Sequence, residues 1–329
     1  MRKITFIGTG AWASGLATVL SKNNHKFIMW GIDNSEIEDI NRGFNTKYFG
    51  NLKFNNPQNI IATDDLNYAL KDSDLIILAI PTPAIATVVL KIKQILGDRK
   101  VDVINVSKGI DFNSKKFISN LIRDEFGNNL NNVASLIGPS FATEVFQNHL
   151  TMINVVGTNI DFLREIEKLF NNDTFKLKIN TDEQGSEVFS ALKNVLAIGI
   201  GIASYMHAPK NLAPALISQG LMEIHSVAKK MFPQTKDTTG YELAAVGDIV
   251  LTCLNTTSRN YSFGLIVGEH GVSESLKLNK KTVEGYNTAV ILNNMQVLLA
   301  DLDIPFLKSI IDVLLNNKNK DKLLDFYWK

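Results

Sequence analysis

Near its start the chain runs from KITFIG straight into GTGAWASGLATVL, so a strand-like segment meets a glycine-rich turn that opens a helix. This junction leaves few folds open. In a G-x-G-x-x-A turn, Gly8 permits the tight reversal, Gly10 lets a ligand approach the backbone, and Ala13 keeps helix and strand close. The N–H groups at the start of such a helix have no partner within it and favour an anion. About twenty residues further on, HKFIMWGID reads as a second strand ending near Asp33, a carboxylate placed to accept hydrogen bonds from a ribose. Strand, turn, helix, strand and acid in this order predict the beginning of a dinucleotide-binding unit. A plain turn whose glycines serve packing alone is the other reading of the same residues.

The remaining chain has two rhythms. As far as residue 180, KITFIG, KFIMW, DLIILAI, VDVINVS, VASLIG and TMINVVG read as strands separated by helical stretches. Such alternation predicts an α/β, Rossmann-like, mostly parallel and doubly wound sheet. Beyond it, SEVFSALKNVLAIG, APALISQGLMEIHSVAKKM and TAVILNNMQVLLADL carry helical periodicity, which predicts an all-α second domain. The expected division is a dinucleotide-binding domain over 1–180 and an all-helical substrate and catalytic domain over 181–329. A chain of 329 residues, 45% of them hydrophobic, is long enough for two cores.

Composition removes several classes of partner. Dispersed charges, 34 basic and 33 acidic, give no footprint for nucleic acid or an anionic membrane, so any anion must be met by a local site. The apolar run VLAIGIGIASYM is too short to cross a bilayer, and Arg2 and Lys3 lead into a strand rather than a signal sequence. One cysteine, Cys253, allows neither an internal disulfide nor a thiolate metal cluster, and a cytoplasmic protein is expected.

Ligands of doubly wound sheets lie beyond the carboxyl ends of the strands, where this chain places Gly8, Gly10, Pro81, Lys108 and Gly138. Lys108 could hold a phosphate there or be a surface lysine. In GPSFATE, Gly138, Pro139 and Ser140 stand at a strand end and helix start, with Pro139 expected in the first turn and backbone donors available to an oxyanion. Structural punctuation explains them equally well. At helical spacing, Lys193 has Phe189, Ser190, Leu196 and Ala197 as neighbours, a surround that desolvates an ammonium and suits it to proton transfer near neutral pH. A lysine snorkelling from a helix edge is the alternative. Finally, GDIVLTCLNTTSRN gathers Asp248, Ser258, Arg259 and Asn260. Arg259 can make two parallel bonds to a phosphate, Ser258 and Asn260 can donate others, and Asp248 could orient Lys193 or bond a substrate hydroxyl. A helix cap beside a solvated loop is the plainer account.

Taken in order, GTGAWASGLA, SKG, GPSFATE, SALKNVLAIGIGI, GDIVLTC with SRN, and VEGYNTA resemble the bacterial NAD(P)-dependent glycerol-3-phosphate dehydrogenases over nearly the whole chain. Related 6-phosphogluconate and 3-hydroxyisobutyrate dehydrogenases are similar in architecture but lack the paired GD and SRN motifs. The resemblance implies NAD(H) or NADP(H) as cofactor and a small phosphorylated substrate; the chemistry itself, in which protein groups orient a ketone, stabilise its oxygen and supply a proton, requires no metal. The resemblance also implies hydride transfer at C2 of dihydroxyacetone phosphate or sn-glycerol 3-phosphate, in the service of phospholipid synthesis. Lys193 would be the proton donor or acceptor, with Lys108, Gly138, Ser140, Asp248, Ser258, Arg259 and Asn260 around the substrate. By the same match Ala11, Trp12, Ala142, Arg259 and Glu284 would line the cofactor, with Lys108 and Arg259 reaching both ligands.

The chain departs from the family pattern at a few places. Ile32 stands where a cation often meets the adenosine ribose, with Asp33 beside it, so NADH is expected to serve at least as well as NADPH. Gln219 replaces a common arginine, Ala244 and Ala245 replace glycines, and Leu150 replaces a proline. The competing readings are a reductase for another small 2-keto or 2-hydroxy compound and a non-catalytic NAD(H) sensor. The ample apolar surface expected of a helical second domain allows a homodimer.

Overall fold

The computed structural model describes residues 2–207, 211–279, 282–295 and 299–328. They divide into two units, one comprising Met1–Ser107 with Ile118–Glu183, the other Lys108–Phe117 with Gln184–Lys329. The segment Lys108–Phe117 thus leaves the first unit between two of its elements and packs its Ile110 and Phe117 into the core of the second.

The first unit is built on eight strands: β1 (Ile4–Ile7), β2 (Phe27–Trp30), β3 (Ile60–Thr63), β4 (Leu75–Leu78), β5 (Val101–Asn105), β6 (Leu130–Ile137), β7 (Thr151–Gly157) and β8 (Phe175–Asn180). Their order is β3-β2-β1-β4-β5-β6-β7-β8, parallel throughout except where β7 runs antiparallel to β6. The central strands β1 and β4 are buried along their whole length, which accounts for uninterrupted apolar runs such as LIIL. Two cores form, one gathering Phe6, Leu16, Phe146 and Phe170, the other Leu78, Val89, Ile122 and Phe126. The α/β, doubly wound expectation therefore holds. β3 and β8 lie outside the strands expected from the sequence.

Among the described residues, the second unit contains helices and only an isolated bridge, Ile110 with Phe117. At its centre is the 25-residue helix Glu183–His207. This helix is longer than the apolar run read from the sequence, and by length and composition it could cross a membrane. Its most apolar window is 89% buried within the protein, so the core accounts for its composition. The helix crosses Arg259–His270 where Gly201 meets Gly264. A Cβ on Gly264 would stand 2.2 Å from the Ile198 carbonyl oxygen and 2.9 Å from Gly201 Cα. Backbones this close require glycine on both sides.

A second fixed point joins helices Leu212–Met231 and Pro305–Leu315. Glu223, almost fully buried, accepts from the backbone N–H groups of Phe306 and Leu307 at 2.9 and 2.7 Å, and so caps the latter helix. Gln219 donates to the same carboxylate at 2.8 Å, which gives this departure from the family pattern a packing role. The helix expected over TAVILNNMQVLLADL is found as Glu284–Asn294, and residues 296–298 of that stretch lie outside the described residues.

Candidate active site

In the first unit the predicted residues sit at the carboxyl ends of β1, β2, β4 and β6. Gly8 has φ +121°, its N–H donates to the Trp30 carbonyl at 2.8 Å, and a Cβ would lie 2.4 Å from the Ala79 carbonyl oxygen. Only glycine fits. Gly10 caps helix Ala11–Lys22 without a side-chain bond, and a Cβ there would have no neighbour within 4 Å among the described residues. Ala11 and Trp12 form the first turn, and Ala13 packs into the core under the sheet. The indole Nε1 of Trp12 is buried with no hydrogen-bond partner among the described residues. Open space over Gly10, helix N–H groups not spent on a cap, and an orphaned indole donor fit a dinucleotide with its pyrophosphate at this turn.

Pro81 is exposed just past β4. After β6 the Ser140 hydroxyl donates to the Gly138 carbonyl at 3.2 Å, and a helix begins at Ala142. Pro139 is therefore not in the first helical turn, as the sequence suggested. The local turn closed by Ser140 takes up the residues after the strand, and Phe141 is the extended cap.

Asp33 is more committed than its spacing suggested. It caps helix Asn34–Asn41, with Oδ1 accepting from Ser35 N–H at 3.0 Å and the Ser35 hydroxyl at 2.6 Å. Its Oδ2 meets Lys47 Nζ at 3.1 Å. The Ser35 hydroxyl first, and Lys47 second, hold this carboxyl at about 2. Ile32 is 85% exposed, and the cation paired with Asp33 is Lys47.

The second unit collects the other predicted residues. Lys193 is only 5% exposed, and its Nζ donates to Asn194 Oδ1 at 2.9 Å and Thr252 Oγ1 at 3.0 Å, with Asp248 Oδ1 at 3.7 Å. The other Asp248 oxygen accepts from Lys108 Nζ at 2.8 Å. Two ammonium groups thus share one buried carboxylate, leaving a positive cluster suited to an anion or a developing alkoxide. Burial pulls the Lys193 ammonium below its ordinary range, Asp248 pulls it back up, and Lys108 lowers it again. Burial also pushes the neighbouring Cys253 thiol upward, away from a reactive thiolate.

At the edge of this cluster, Asn194 Nδ2 lies 3.4 Å from Glu284 Oε2, and Glu284 Oε1 accepts from Arg259 at 2.9 Å. Arg259 and Glu284 are about half exposed, so the pair is open to exchange with a ligand. Ser258 does cap helix Arg259–His270, its Oγ accepting from Tyr261 N–H at 3.3 Å, and Asn260 Oδ1 accepts from Gly285 N–H at 2.9 Å. Both bonds use the acceptor side of the group and leave the hydroxyl hydrogen and the amide NH₂ to donate elsewhere.

Sequence reasoning passed over Asn194 and Thr252. Asn194 adjoins Lys193, and Thr252 stands one helical turn after Asp248, donating to its Oδ1 at 3.3 Å. A π-helical turn, Leu243–Gly247, leads into this helix and includes Ala244 and Ala245. Such turns recur at functional sites, but neither apolar periodicity nor a local motif marks one in advance.

The family model for the N-terminus of NAD-dependent glycerol-3-phosphate dehydrogenase matches residues 3–163, and the model for its C-terminus matches residues 182–325. A glycerol-3-phosphate dehydrogenase [NAD(P)+] of Malacoplasma penetrans is 42% identical over 333 residues, spanning 99% of this chain and 97% of its own length. One from Fusobacterium nucleatum is 34% identical, over 97% of this chain and 94% of its own. The solved glycerol-3-phosphate dehydrogenase of Coxiella burnetii superposes with a TM-score of 0.87 at 26% identity, covering 100% of this chain and 99% of that one.

Proposed function

Since the chain belongs to the NAD-dependent glycerol-3-phosphate dehydrogenase family, we propose that it reduces dihydroxyacetone phosphate to sn-glycerol 3-phosphate, reversibly, with NADH or NADPH, supplying phospholipid synthesis. The observation that carries the reading is a buried lysine, Lys193, bonded to Thr252 and facing an Asp248 that it shares with Lys108. NAD(P)H, when bound, supplies the hydride that reduces C2. The residues suited to hold it are Gly8, Gly10, Ala11, Trp12, Ala13, Asp33, Pro81 and Ala142 of the first unit.

In the second unit, Lys193 gives its proton to the oxygen of the substrate as negative charge develops there, or removes one in the reverse direction. Thr252 and Asn194 accept from its Nζ and fix where that proton lies. Lys108 and Arg259 hold the phosphate, aided by the donor sides of Ser258 and Asn260. Remote binding of this kind positions the reacting carbon. Charge stabilisation comes from donors already in place in a largely dry cluster.

The phosphate assignment is tested by Lys108→Ala and Arg259→Ala. Each should lower kcat/KM for dihydroxyacetone phosphate by roughly 10²-fold or more, in line with the loss of a charge-assisted bond and of positioning. Unphosphorylated dihydroxyacetone, a poor substrate throughout, should change far less. Near-parent kinetics in both variants would remove these residues from phosphate binding.

The depressed Lys193 ammonium fixes the sign of the pH response. Ketone reduction needs it protonated and should fall as pH rises through its lowered pKa, while alcohol oxidation should rise through the same interval. Asp248→Asn removes the main influence that raises that pKa, so both limbs should move to lower pH. Profiles of kcat/KM in the two directions check this, and limbs that stay in place would detach Asp248 from the proton donor.

The competing sensor and general 2-keto reductase readings are not favoured, because the relatives matched over both units carry the glycerol-3-phosphate dehydrogenase name. Work in the cytoplasm belongs to the same proposal. So does a homodimer, supported by the exposed apolar side chains Met222, Val250 and Leu254 of the second unit.

A further inference from the structure

In the first unit, two carboxylates and an ammonium converge beside the glycine-rich turn. Lys47 Nζ lies 3.1 Å from Asp33 Oδ2 and within bonding distance of Glu36 Oε1, which also accepts from the Tyr48 hydroxyl at 3.1 Å. The other Glu36 oxygen accepts from the Thr9 hydroxyl, inside the turn, at 2.6 Å. Arg42 is paired with Asp39 at 3.2 Å.

The segment that carries Lys47 is firmly seated. Buried Asn45 donates to the Thr9 carbonyl and the Ser14 hydroxyl, both at 2.9 Å, the Thr46 N–H donates to Asp39, and Phe49 stacks on Phe146 at 3.9 Å. Lys47 itself is half exposed. A half-exposed cation is thereby held against the acid that follows β2 and caps the next helix, where folds of this kind meet the 2′ position of the adenosine ribose.

We propose that Lys47 is the residue that admits a 2′-phosphate: it neutralises Asp33 beside an unphosphorylated ribose and turns its bonds to the phosphate when one is present. The proposal rests on the assignment of the dinucleotide to the first unit. Without Lys47, Asp33 would present an uncompensated negative charge, with that of the buried Glu36 close behind it, to a group that is itself doubly charged, whereas a ribose hydroxyl can still donate to Asp33. Acceptance of NADPH then depends on a residue 14 positions after Asp33 and not on the one beside it.

The test measures both kcat/KM and nucleotide affinity, the latter from enhancement of reduced-nicotinamide fluorescence, for NADH and NADPH in parallel. Lys47→Met should lower NADPH relative to NADH by about tenfold or more, the size expected for a lost charge-assisted bond. Lys47→Arg should keep the parent ratio, and Asp33→Asn should shift it towards NADPH. An unchanged ratio in Lys47→Met, or an equal loss for both nucleotides, would overturn the proposal, the second outcome marking Lys47 as structural. If the parent binds nucleotide but does not reduce dihydroxyacetone phosphate, the functional reading fails, while the ratio of affinities still decides the role of Lys47. Failure of the parent to bind either nucleotide overturns both.

Discussion

Lys193→Ala is expected to bind NADH with near-parent affinity, to keep its fold, and to lose roughly 10²–10⁴-fold in kcat, the range associated with removing a positioned proton donor. The size of the loss follows from how few substitutes the site offers. Lys193 is buried, its ammonium is held by Thr252 and Asn194, and the other lysine of the cluster, Lys108, is bonded to the far oxygen of Asp248. Truncation leaves Asp248 and Thr252 facing a void that water enters without a comparable orienting frame. Nucleotide fluorescence and circular dichroism establish that binding and fold survive, and stopped-flow turnover measures the loss. A variant within a few-fold of the parent would remove Lys193 from proton transfer.

Gly264→Val should have the largest effect on stability. Its Cβ would overlap the Ile198 carbonyl, which belongs to a buried helix backbone and cannot turn aside as a side chain can. Overpacking of this kind costs about 3 kcal/mol or more, equivalent to roughly 6–12 °C in Tm for a unit of this size. Gly240→Ala is the control, because its added carbon would meet only the Phe189 ring edge at 3.7 Å. The damage should also reach the chemistry. Arg259 and Asn260 begin the helix whose crossing point is Gly264, on the far side of which runs the helix carrying Lys193. Folded Gly264→Val should therefore show a raised KM for dihydroxyacetone phosphate. Unchanged Tm and kinetics would show that the crossing is not needed to hold Arg259 in place.

Much of this architecture is legible in the sequence because its physics is local. Runs such as LIIL and VDVIN declare buried parallel strands, and the apolar neighbours of Lys193 foretell its desolvation. Other features escape because they arise only on packing. β3 is a four-residue strand following a proline-containing turn, and β8 alternates Phe175, Leu177 and Ile179 with Lys176 and Lys178, a weaker signal than a continuous apolar run. Chain order hides that Lys108–Phe117 packs with the second unit. The capping of Asp33 follows from residues close to it, whereas its pairing with Lys47 depends on where the intervening helix returns the chain. Thr252 and Asn194 acquire meaning only once Asp248 and Lys193 are brought together.

The most direct test of the account is to follow the loss of reduced-nicotinamide absorbance when the unmodified protein meets dihydroxyacetone phosphate, with NADH and NADPH in parallel and sn-glycerol 3-phosphate identified as product. The account predicts turnover with both nucleotides, dependence on the substrate phosphate, and one mole of glycerol phosphate formed per mole of nucleotide oxidised. Tight nucleotide binding with no ketone reduction under either cofactor would contradict it.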